Sequence, residues 1–338
     1  MNILFYCPFK FSLKSKNIKS LGGIESLNIE LTKYLLNTKH KIYLATKCKK
    51  EIKKGNLINI PINKLNNKKL DYKFDKIISS NDPTIFNYSK YSKNFLWLHN
   101  KLTIEKAIRK KKFFPIIKNK VSVIFVSDYL MKITTNIYNF KKKIVIPNFL
   151  DPIFYDLKPE FNRKPYFIWS VQRNKGLSEV IDIWINEIHP KYKKFKLFIF
   201  GVNKSLIKRY NLKKLSKFNI FYKGRVKKKI LISYYKKSMA MICLGYDETF
   251  CLNAIESYAC GMPIITFGHT AVAEISNKKN SFKLLNFNDI PKRIIQIAST
   301  NLKSRKNIIN NCVKFSRKYY LNLIFGKWLK LINKQSND

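Results

Sequence analysis

The sequence is poor in acidic residues and lacks three patterns that identify common classes of protein. Aspartate and glutamate together number 20, against 67 lysines and arginines. None of the six cysteines stands in a C-x-x-C pair or at zinc-ligand spacing, which excludes a zinc ribbon and a thioredoxin-like centre. No run of about 20 apolar residues is present, so no transmembrane helix is expected. The glycine fingerprint G-x-G-x-x-G is also missing, which argues against a dehydrogenase.

The basic excess gives a net charge of +47 and admits three explanations. Cations can replace the counterions of nucleic-acid phosphates, hold a protein on an anionic membrane, or follow from codon composition. Lys, Asn and Ile are all abundant, and all three have A/T-rich codons. Because the basic residues are scattered rather than clustered, composition is the favoured explanation. An anionic membrane surface comes second, and no nucleic-acid partner is expected.

The cysteines and the amino terminus indicate a cytoplasmic protein. Most of the cysteines lie in apolar stretches, where they are expected to pack as small core side chains in a reducing compartment. The first residues carry no basic segment, and their apolar run is too short for a signal peptide. The positive charge would allow peripheral attachment to the inner face of the membrane.

Short apolar strands alternate with helical segments along the chain, and the pattern restarts after the proline-rich stretch 147–159. Such alternation predicts an α/β fold with helices on both faces of a parallel sheet. We therefore predict two Rossmann-like, doubly wound domains at 1–150 and 151–310, facing a cleft at the carboxyl ends of their strands. Strands are predicted at 3–7, 40–45, 76–79, 95–98, 121–126, 144–146, 166–171, 196–200, 219–222, 240–244, 263–267 and 282–285, and helices at 24–37, 177–188, 227–237, 251–260 and 302–333.

One segment of the second domain carries the candidate chemistry. The predicted strand 240–244 ends in a polar turn, and a helix is expected from near residue 250 to Gly261, with Pro263 just beyond. A helix that starts at the carboxyl edge of a parallel sheet offers unpaired N–H groups and the positive end of its dipole. Both suit a diphosphate. The N–H groups at this helix start belong to Phe250, Cys251 and Leu252.

Two carboxylates flank this predicted helix start. Glu248 stands just before it, and Glu256 lies about two turns inside, roughly 9–12 Å further along at 1.5 Å per residue. An extended nucleotide-sugar has similar dimensions between its sugar and its ribose. One carboxylate can therefore meet the sugar while the other meets the ribose hydroxyls.

The segment closely resembles the retaining glycosyltransferases of family 4, which have the two-domain GT-B fold. Their signature is Glu-x7-Glu within E-G-F-G-x-x-x-x-E-A-x-A-x-G-x-P-V, and here it stands as Glu248-Thr-Phe-Cys-Leu-Asn-Ala-Ile-Glu256. The resemblance implies that Glu248 contacts the transferred sugar and that Glu256 binds the ribose. It also implies that a carboxyl-terminal helix, 311–338, packs back on the first domain. Thr249 and Cys251 replace two glycines of the family, which puts the geometry of the phosphate approach in question.

Further motifs support the resemblance. Gly22 and Gly23 precede the first helix, where a missing Cβ lets a backbone approach a ligand. The family has Gly-Gly-x-Glu there, which implies contact with donor phosphate and acceptor. Arg173 and Lys175 open a helix of the second domain, where the resemblance implies that they bind the donor diphosphate and neutralise it as it leaves. Arg173 lies closer to the lysine than the usual family arginine does.

Two strand ends complete the set of candidate residues. His99 follows the strand 95–98, at a position where the family often has a histidine near the transferred sugar. Gly224 lies in a segment that resembles the family's loop around the nucleotide base. For His99 the competing interpretation is an ordinary histidine that forms a hydrogen bond at the start of a loop.

The predicted function is that of a retaining glycosyltransferase. It would move a hexose from a UDP- or GDP-type donor to a hydroxyl of a glycan or lipid-linked acceptor, in cell-envelope polysaccharide synthesis. No Asp-x-Asp pair occurs, and metal-dependent GT-A transferases use that pair to hold Mg²⁺ or Mn²⁺, so a metal-independent reaction without a cofactor is expected. The alternatives are a basic nucleic-acid-binding protein and an epimerase or phosphorylase on the same fold.

Overall fold

A computed structural model describes residues 1–13, 21–65, 73–88, 92–171, 175–207 and 210–334. The chain divides into two compact units. The first unit comprises Met1–Phe149 together with Leu321–Asp338, and the second comprises Leu150–Tyr320. Each unit is built around its own β-sheet.

The first unit contains an eight-stranded sheet in the order β3-β4-β2-β1-β5-β6-β7-β8. All neighbouring strands are parallel except β3 and β4, which form an antiparallel pair at one edge. The strands are β1 (Asn2–Tyr6), β2 (Lys41–Thr46), β3 (Ile52–Lys54), β4 (Leu57–Pro61), β5 (Lys76–Ser80), β6 (Lys93–Leu98), β7 (Ser122–Phe125) and β8 (Lys143–Val145). The α-helices of the unit are α1 (Gly23–Tyr34), α2 (Ile104–Arg109), α3 (Phe113–Lys118) and α4 (Asp128–Ile133), with 3₁₀ turns at Leu35–Asn37, Ile62–Lys64, Pro83–Tyr88 and Asn136–Tyr138.

The second unit contains a six-stranded, wholly parallel sheet in the order β11-β10-β9-β12-β13-β14. Its strands are β9 (Lys164–Trp169), β10 (Lys196–Phe200), β11 (Ile220–Gly224), β12 (Ser238–Ile242), β13 (Ile264–Thr266) and β14 (Ser281–Lys283). Its helices are α5 (Leu177–Ile183), continued by a π-helical turn at Trp184–Ile188, then α6 (Leu212–Lys217), α7 (Lys228–Lys237), α8 (Leu252–Ala259), α9 (Val272–Ile275), α10 (Asp289–Ala298) and α11 (Leu302–Ser316). A last helix, α12 (Leu321–Asn333), belongs to the first unit.

Alternate side chains of the second sheet pack against helices on opposite faces. Leu197 and Ile199 of β10 lie in a core shared with α5 and α10. Phe198, between them, points the other way and contacts Tyr234 of α7, with ring centroids 4.9 Å apart. This alternation is the period-2 geometry of a strand buried on both sides. The prediction of two doubly wound α/β units is therefore confirmed.

The edge of the first sheet differs from the sequence-based prediction, which placed no strand between residues 45 and 76. The structure has β3 and β4 there, and β4 is buried along its whole length beside β2. Its sequence, Leu-Ile-Asn-Ile-Pro, is short and ends in proline, so periodicity alone gives little signal. The predicted helix 302–333 is interrupted at residues 317–320, where α11 ends and a 3₁₀ turn precedes α12.

The helix α12 packs on the first unit through aromatic side chains and a buried cation. Trp328 lies 4.8 Å from Trp97 and Phe325 lies 4.5 Å from Tyr34, measured between ring centroids. Lys76 is buried, and its Nζ donates to the carbonyl oxygen of Leu331 at 3.0 Å as well as to those of Ile332 and Lys334. The lysine thus satisfies carbonyls that a helix end leaves unpaired.

Replacing Lys76 with methionine is expected to loosen the end of α12. The buried carbonyls would lose their donor, at a cost of roughly 1–3 kcal/mol. Hydrogen exchange at the last amides of α12 should accelerate by a matching factor. Lys93→Met, at the start of the neighbouring strand β6, is the control and should leave that exchange unchanged. Equal protection in both variants would contradict the anchoring role.

Within the described residues, no helix combines the length and the apolar character that crossing a membrane requires.

Candidate active site

The order of strands in the second unit creates a point where the chain diverges. β9 and β12 lie side by side at the centre of the sheet, but the chain continues from β9 to β10 on one side and from β12 to β13 on the other. In open α/β sheets, ligands bind beyond the carboxyl ends of the strands at such a switch point. The loops after β9 and β12 contain Lys175 and Glu248, respectively.

Lys175 and Glu248 meet at this edge. The Nζ atom of Lys175 lies 2.6 Å from Oε1 of Glu248, and both side chains are about 15% exposed. Gly176, the residue after Lys175, has φ of +94° and caps the start of α5. A Cβ at this glycine would lie 2.5 Å from Cδ1 of Leu244. Glycine is therefore required for both its left-handed backbone and the close approach of the two loops.

The helix that follows Glu248 begins at Leu252, two residues later than the sequence predicts. Cys251 precedes it with φ of +67°, a left-handed conformation that cannot be part of a right-handed helix. The first two helical amides belong to Leu252 and Asn253, while Phe250 is buried with its ring 5.6 Å from that of Tyr319. Of the amides predicted at this helix terminus, only that of Leu252 lies within the helix.

Cys251 occupies a backbone position that favours glycine, and its thiol is packed inside the unit. Its Sγ lies 3.3 Å from Sγ of Cys243. This hydrogen bond and burial hold the pKa of Cys251 well above the usual value, so the residue stays a neutral thiol. The strain of a non-glycine residue in this region is of the order of 1–2 kcal/mol.

Glu256 is buried on the inner side of α8. Burial raises its pKa to about 7, although nearby Lys228 lowers it and Asp151 contributes a further increase. Lys228 Nζ lies 3.9 Å from Oε1 of Glu256 and 2.5 Å from Oδ2 of Asp151. One cation therefore serves two carboxylates, and Glu256 changes its ionisation near neutral pH.

Lys228 was not among the predicted site residues. It stands in the run Lys227-Lys228-Lys229, in a chain with 67 lysines and arginines. A solvated cation is the ordinary interpretation of such a run, and nothing in the local sequence separates Lys228 from its neighbours. Its role follows only from the position of α7, which places this first helical residue beside Glu256.

Gly224 ends β11 and starts the loop that leads to Lys228. It has φ of +61°, and its carbonyl accepts a hydrogen bond from the N–H of Gly201 at 2.9 Å. The positive φ explains why a glycine stands at this position, where the chain turns from the sheet edge toward α7. The loop therefore helps to place the cation that faces Glu256.

The glycine pair of the first unit lies at the start of α1. Gly22 precedes the helix in extended conformation and Gly23 is its first residue. A Cβ at Gly22 would lie 2.5 Å from Oε2 of Glu25, so the missing side chain makes room for this carboxylate. Asn28 of the same helix donates to Ser80 Oγ at 2.9 Å, which places α1 at the end of β5, the neighbour of β1.

His99 follows β6 at the same edge of the first sheet. Its backbone N–H donates to Oδ1 of Asn81 at 2.7 Å, and its ring centroid lies 4.5 Å from that of Trp97. Burial lowers the pKa of His99 to about 3, so the imidazole is neutral at physiological pH. It can exchange hydrogen bonds with a sugar but does not supply a positive charge.

Arg173, the remaining predicted site residue, lies outside the described residues.

Part of the second unit matches the sequence model of a known family. Residues 157–315, which lie within this unit, match the sequence model of the family described as glycosyl transferases group 1. No curated protein sequence matches the chain.

Solved structures resemble nearly the whole chain. Sucrose-phosphate synthase from Thermosynechococcus elongatus superposes with a TM-score of 0.75 at 13% identity, covering 98% of each chain. WaaG, a glycosyltransferase involved in lipopolysaccharide biosynthesis, gives a TM-score of 0.70 at 10% identity over 98% of this chain and 100% of that one. The E. coli trehalose-6-phosphate protein bound with UDP-2-fluoro glucose gives 0.71 at 10% identity over 99% and 100%. At such low identity the likeness establishes the fold, which is the predicted GT-B type.

Proposed function

We propose that the protein is a glycosyltransferase that moves a hexose from a UDP- or GDP-type donor to a hydroxyl of a glycan or lipid-linked acceptor. The match of residues 157–315 to the glycosyl transferases group 1 family supports this proposal. The proposal includes retention of the anomeric configuration and a role in cell-envelope polysaccharide synthesis, at the cytoplasmic face of an anionic membrane. The observation that carries it is the 2.6 Å contact of Lys175 with Glu248 at the switch point of the second sheet.

That contact suggests how a donor is received. An incoming diphosphate competes with Glu248 for the ammonium group of Lys175 and brings a larger negative charge. Lys175 then neutralises the leaving diphosphate, together with the amide at the start of α8. Glu248, released from the ion pair, accepts hydrogen bonds from hydroxyls of the transferred sugar. In this proposal Glu248 orients the sugar and is not a covalent nucleophile.

Glu256 is the proposed partner of the ribose hydroxyls. Two hydroxyls donate best to an ionised carboxylate, because charge-assisted hydrogen bonds are about twice as strong as neutral ones. Lys228, 3.9 Å away, favours that ionised form against the cost of burial. We therefore add Lys228 to the donor site as a positioning residue. In the first unit, Gly22, Gly23 and the neutral His99 keep their predicted roles toward acceptor and sugar as part of the proposal.

The proposal is tested by titrating UDP and GDP in a calorimeter. Glu256→Ala and Lys175→Ala should each weaken binding of the preferred nucleotide. The exposed residues Glu179 and Lys204 of the same unit provide matched controls, and their alanine variants should bind as the wild type does. Unchanged nucleotide affinity in folded Glu256→Ala and Lys175→Ala proteins would refute the site.

Nucleotide binding is expected to weaken in acid because of Glu256. With a pKa of about 7, this carboxylate is mostly ionised at pH 8 and mostly protonated at pH 6. If binding requires the ionised form, the dissociation constant should rise about tenfold between these values. Glu256→Gln removes the titrating group and should bind more weakly with a flatter pH dependence, which separates this effect from ionisation of the nucleotide itself. Parallel pH profiles in both proteins would contradict the assignment.

Two other functions would give different experimental results. An epimerase or phosphorylase on the same fold would convert a labelled nucleotide-sugar without transferring its sugar to an acceptor hydroxyl, so product analysis separates them. A nucleic-acid-binding protein would show steeply salt-dependent retention of DNA or RNA without affinity for nucleotide-sugars.

A further inference from the structure

The first unit exposes large apolar side chains close together. Phe114 is 76% exposed, Ile108 57%, Ile137 56% and Tyr88 51%. Ile117, one turn after Phe114 in α3, is also exposed. Single exposed apolar residues are common on soluble proteins, but several side by side mark an interaction surface.

Contacts between their elements show that these side chains share one surface. α2 packs on α3, and α3 packs on the 3₁₀ turns Pro83–Tyr88 and Asn136–Tyr138. Asn119, just after α3, donates to Oδ1 of Asn87 at 3.2 Å. Buried Tyr138 lies with its ring 5.9 Å from that of Phe113. These contacts bring together the segments that carry the exposed apolar side chains.

Exposed cations alternate with these apolar groups. Arg109, Lys110 and Lys111 separate Ile108 from Phe114, and Lys118 and Lys120 follow Ile117. Among residues 101–120 the single acidic residue is Glu105, whose carboxylate lies 3.6 Å from Arg109. We call Tyr88, Ile137 and the exposed residues of 108–120 the basic-apolar surface.

We propose that the basic-apolar surface docks the enzyme on an anionic lipid bilayer. Apolar side chains enter the boundary between headgroups and acyl chains, while lysine and arginine remain among the anionic headgroups. Isoleucine dominates the apolar set, whereas a surface for single-stranded nucleic acid needs aromatic platforms for its bases. Five cations next to five apolar groups also match a fluid anionic surface better than a dry protein interface, whose centre is depleted of charge.

Part of the positive charge of the chain lies on the basic-apolar surface. The basic residues of the whole chain are scattered, but on this surface they coincide with exposed apolar groups. The docking proposal depends only on observations of the first unit. Its use in delivering the enzyme to a lipid-linked acceptor rests on the proposed function.

Sedimentation of the full-length protein with vesicles tests the docking. Wild-type protein should pellet with vesicles of phosphatidylglycerol and phosphatidylcholine, and remain in solution with phosphatidylcholine alone. Ile108→Ser with Phe114→Ser should lower the partition coefficient roughly tenfold or more, since each side chain loses its apolar burial. Lys110→Glu with Lys111→Glu should lower it by a similar factor, because each cation near an anionic surface contributes about fivefold.

Leu323→Ser is the matched control, because Leu323 is a comparably exposed apolar residue of the same unit outside the basic-apolar surface. It should sediment as the wild type does. The proposal is overturned if the wild type does not pellet, if Leu323→Ser loses as much binding as the double variants, or if those variants lose DNA retention while vesicle binding is unchanged.

Nucleotide calorimetry on the same proteins separates the two proposals. Variants that lose vesicle binding while keeping wild-type UDP or GDP affinity support docking as a separate property. A wild-type protein that binds nucleotide but no vesicles overturns the docking alone. One that binds anionic vesicles but no nucleotide overturns the proposed function alone.

Discussion

Replacing Lys175 with methionine is expected to lower kcat/KM for sugar transfer by about 10²- to 10³-fold, the usual effect of removing one preorganised group that stabilises developing charge. The ammonium group lies at the switch point of the second sheet, 2.6 Å from Glu248, in a position that is only 15% exposed. A cation shielded in this way would interact more strongly with the leaving diphosphate of the proposed reaction than a solvated one. Initial rates with the donor selected from a nucleotide-sugar panel measure the effect.

Three further variants identify the cause of this loss. Lys204→Met removes an exposed lysine from the same unit and should keep full activity. Lys175→Arg keeps the charge and should recover part of the rate. Glu248→Gln should also lower the rate, and its effect should not add to that of Lys175→Met, because the two side chains form one pair. Wild-type kcat/KM in folded Lys175→Met protein would disprove the role of this lysine.

Replacing Arg163 with methionine is expected to destabilise the second unit by about 3–5 kcal/mol, because three buried carbonyls each lose a donor at a cost of roughly 1–3 kcal/mol. Arg163 is buried immediately before β9. Its Nη1 donates to the carbonyls of Tyr235 at 2.6 Å and Ser238 at 3.2 Å, and its Nη2 to that of Cys260 at 2.7 Å. One side chain therefore joins the end of α7, the start of β12 and the end of α8. Methionine fills similar space but removes the donor from three carbonyls.

Burial lowers the pKa of Arg163 to about 10, so the guanidinium remains charged at neutral pH. Urea denaturation, with hydrogen exchange to assign the transition to the second unit, measures the loss. Arg293→Met is the control, since Arg293 also donates to a backbone carbonyl but on an exposed surface, and it should cost about 1 kcal/mol or less. A similar small cost in both variants would show that the buried contacts of Arg163 contribute little.

The alternation of short apolar strands with helices was enough to predict the fold. Every strand of the second unit was predicted within a few residues of its place, and β10 at its observed bounds. Such patterns are local, because a strand or a helix imposes its period on neighbouring residues. β3 was missed because three residues show almost no period, and β4 was missed because an asparagine and a terminal proline interrupt its apolar run.

Part of the candidate site could also be predicted, because several of its residues stand in local motifs. Glu248 and Glu256 stand in one continuous motif, and Lys175 stands beside a glycine before a helix. Contacts between residues that are distant in the sequence could not be predicted. Lys228 is 77 residues from Asp151 and 28 from Glu256, and only the packing of α7 brings the three together. Nor does the sequence show that burial raises the pKa of Glu256 to about 7, since that shift depends on what surrounds the carboxylate.

The sequence by itself determined the α/β architecture and the two carboxylates of the motif, because both follow from the spacing of neighbouring residues. The tertiary structure decided which cations those carboxylates face, where α8 begins and which apolar residues reach the surface. Cys251 shows the difference most simply. Its identity is known from the sequence, but its φ of +67°, which delays the helix to Leu252, is set by the turn between β12 and α8. The ionisation of Glu256, the start of α8 and the exposure of the apolar side chains all depend on neighbours that the order of the strands brings together. No local sequence pattern predicts them.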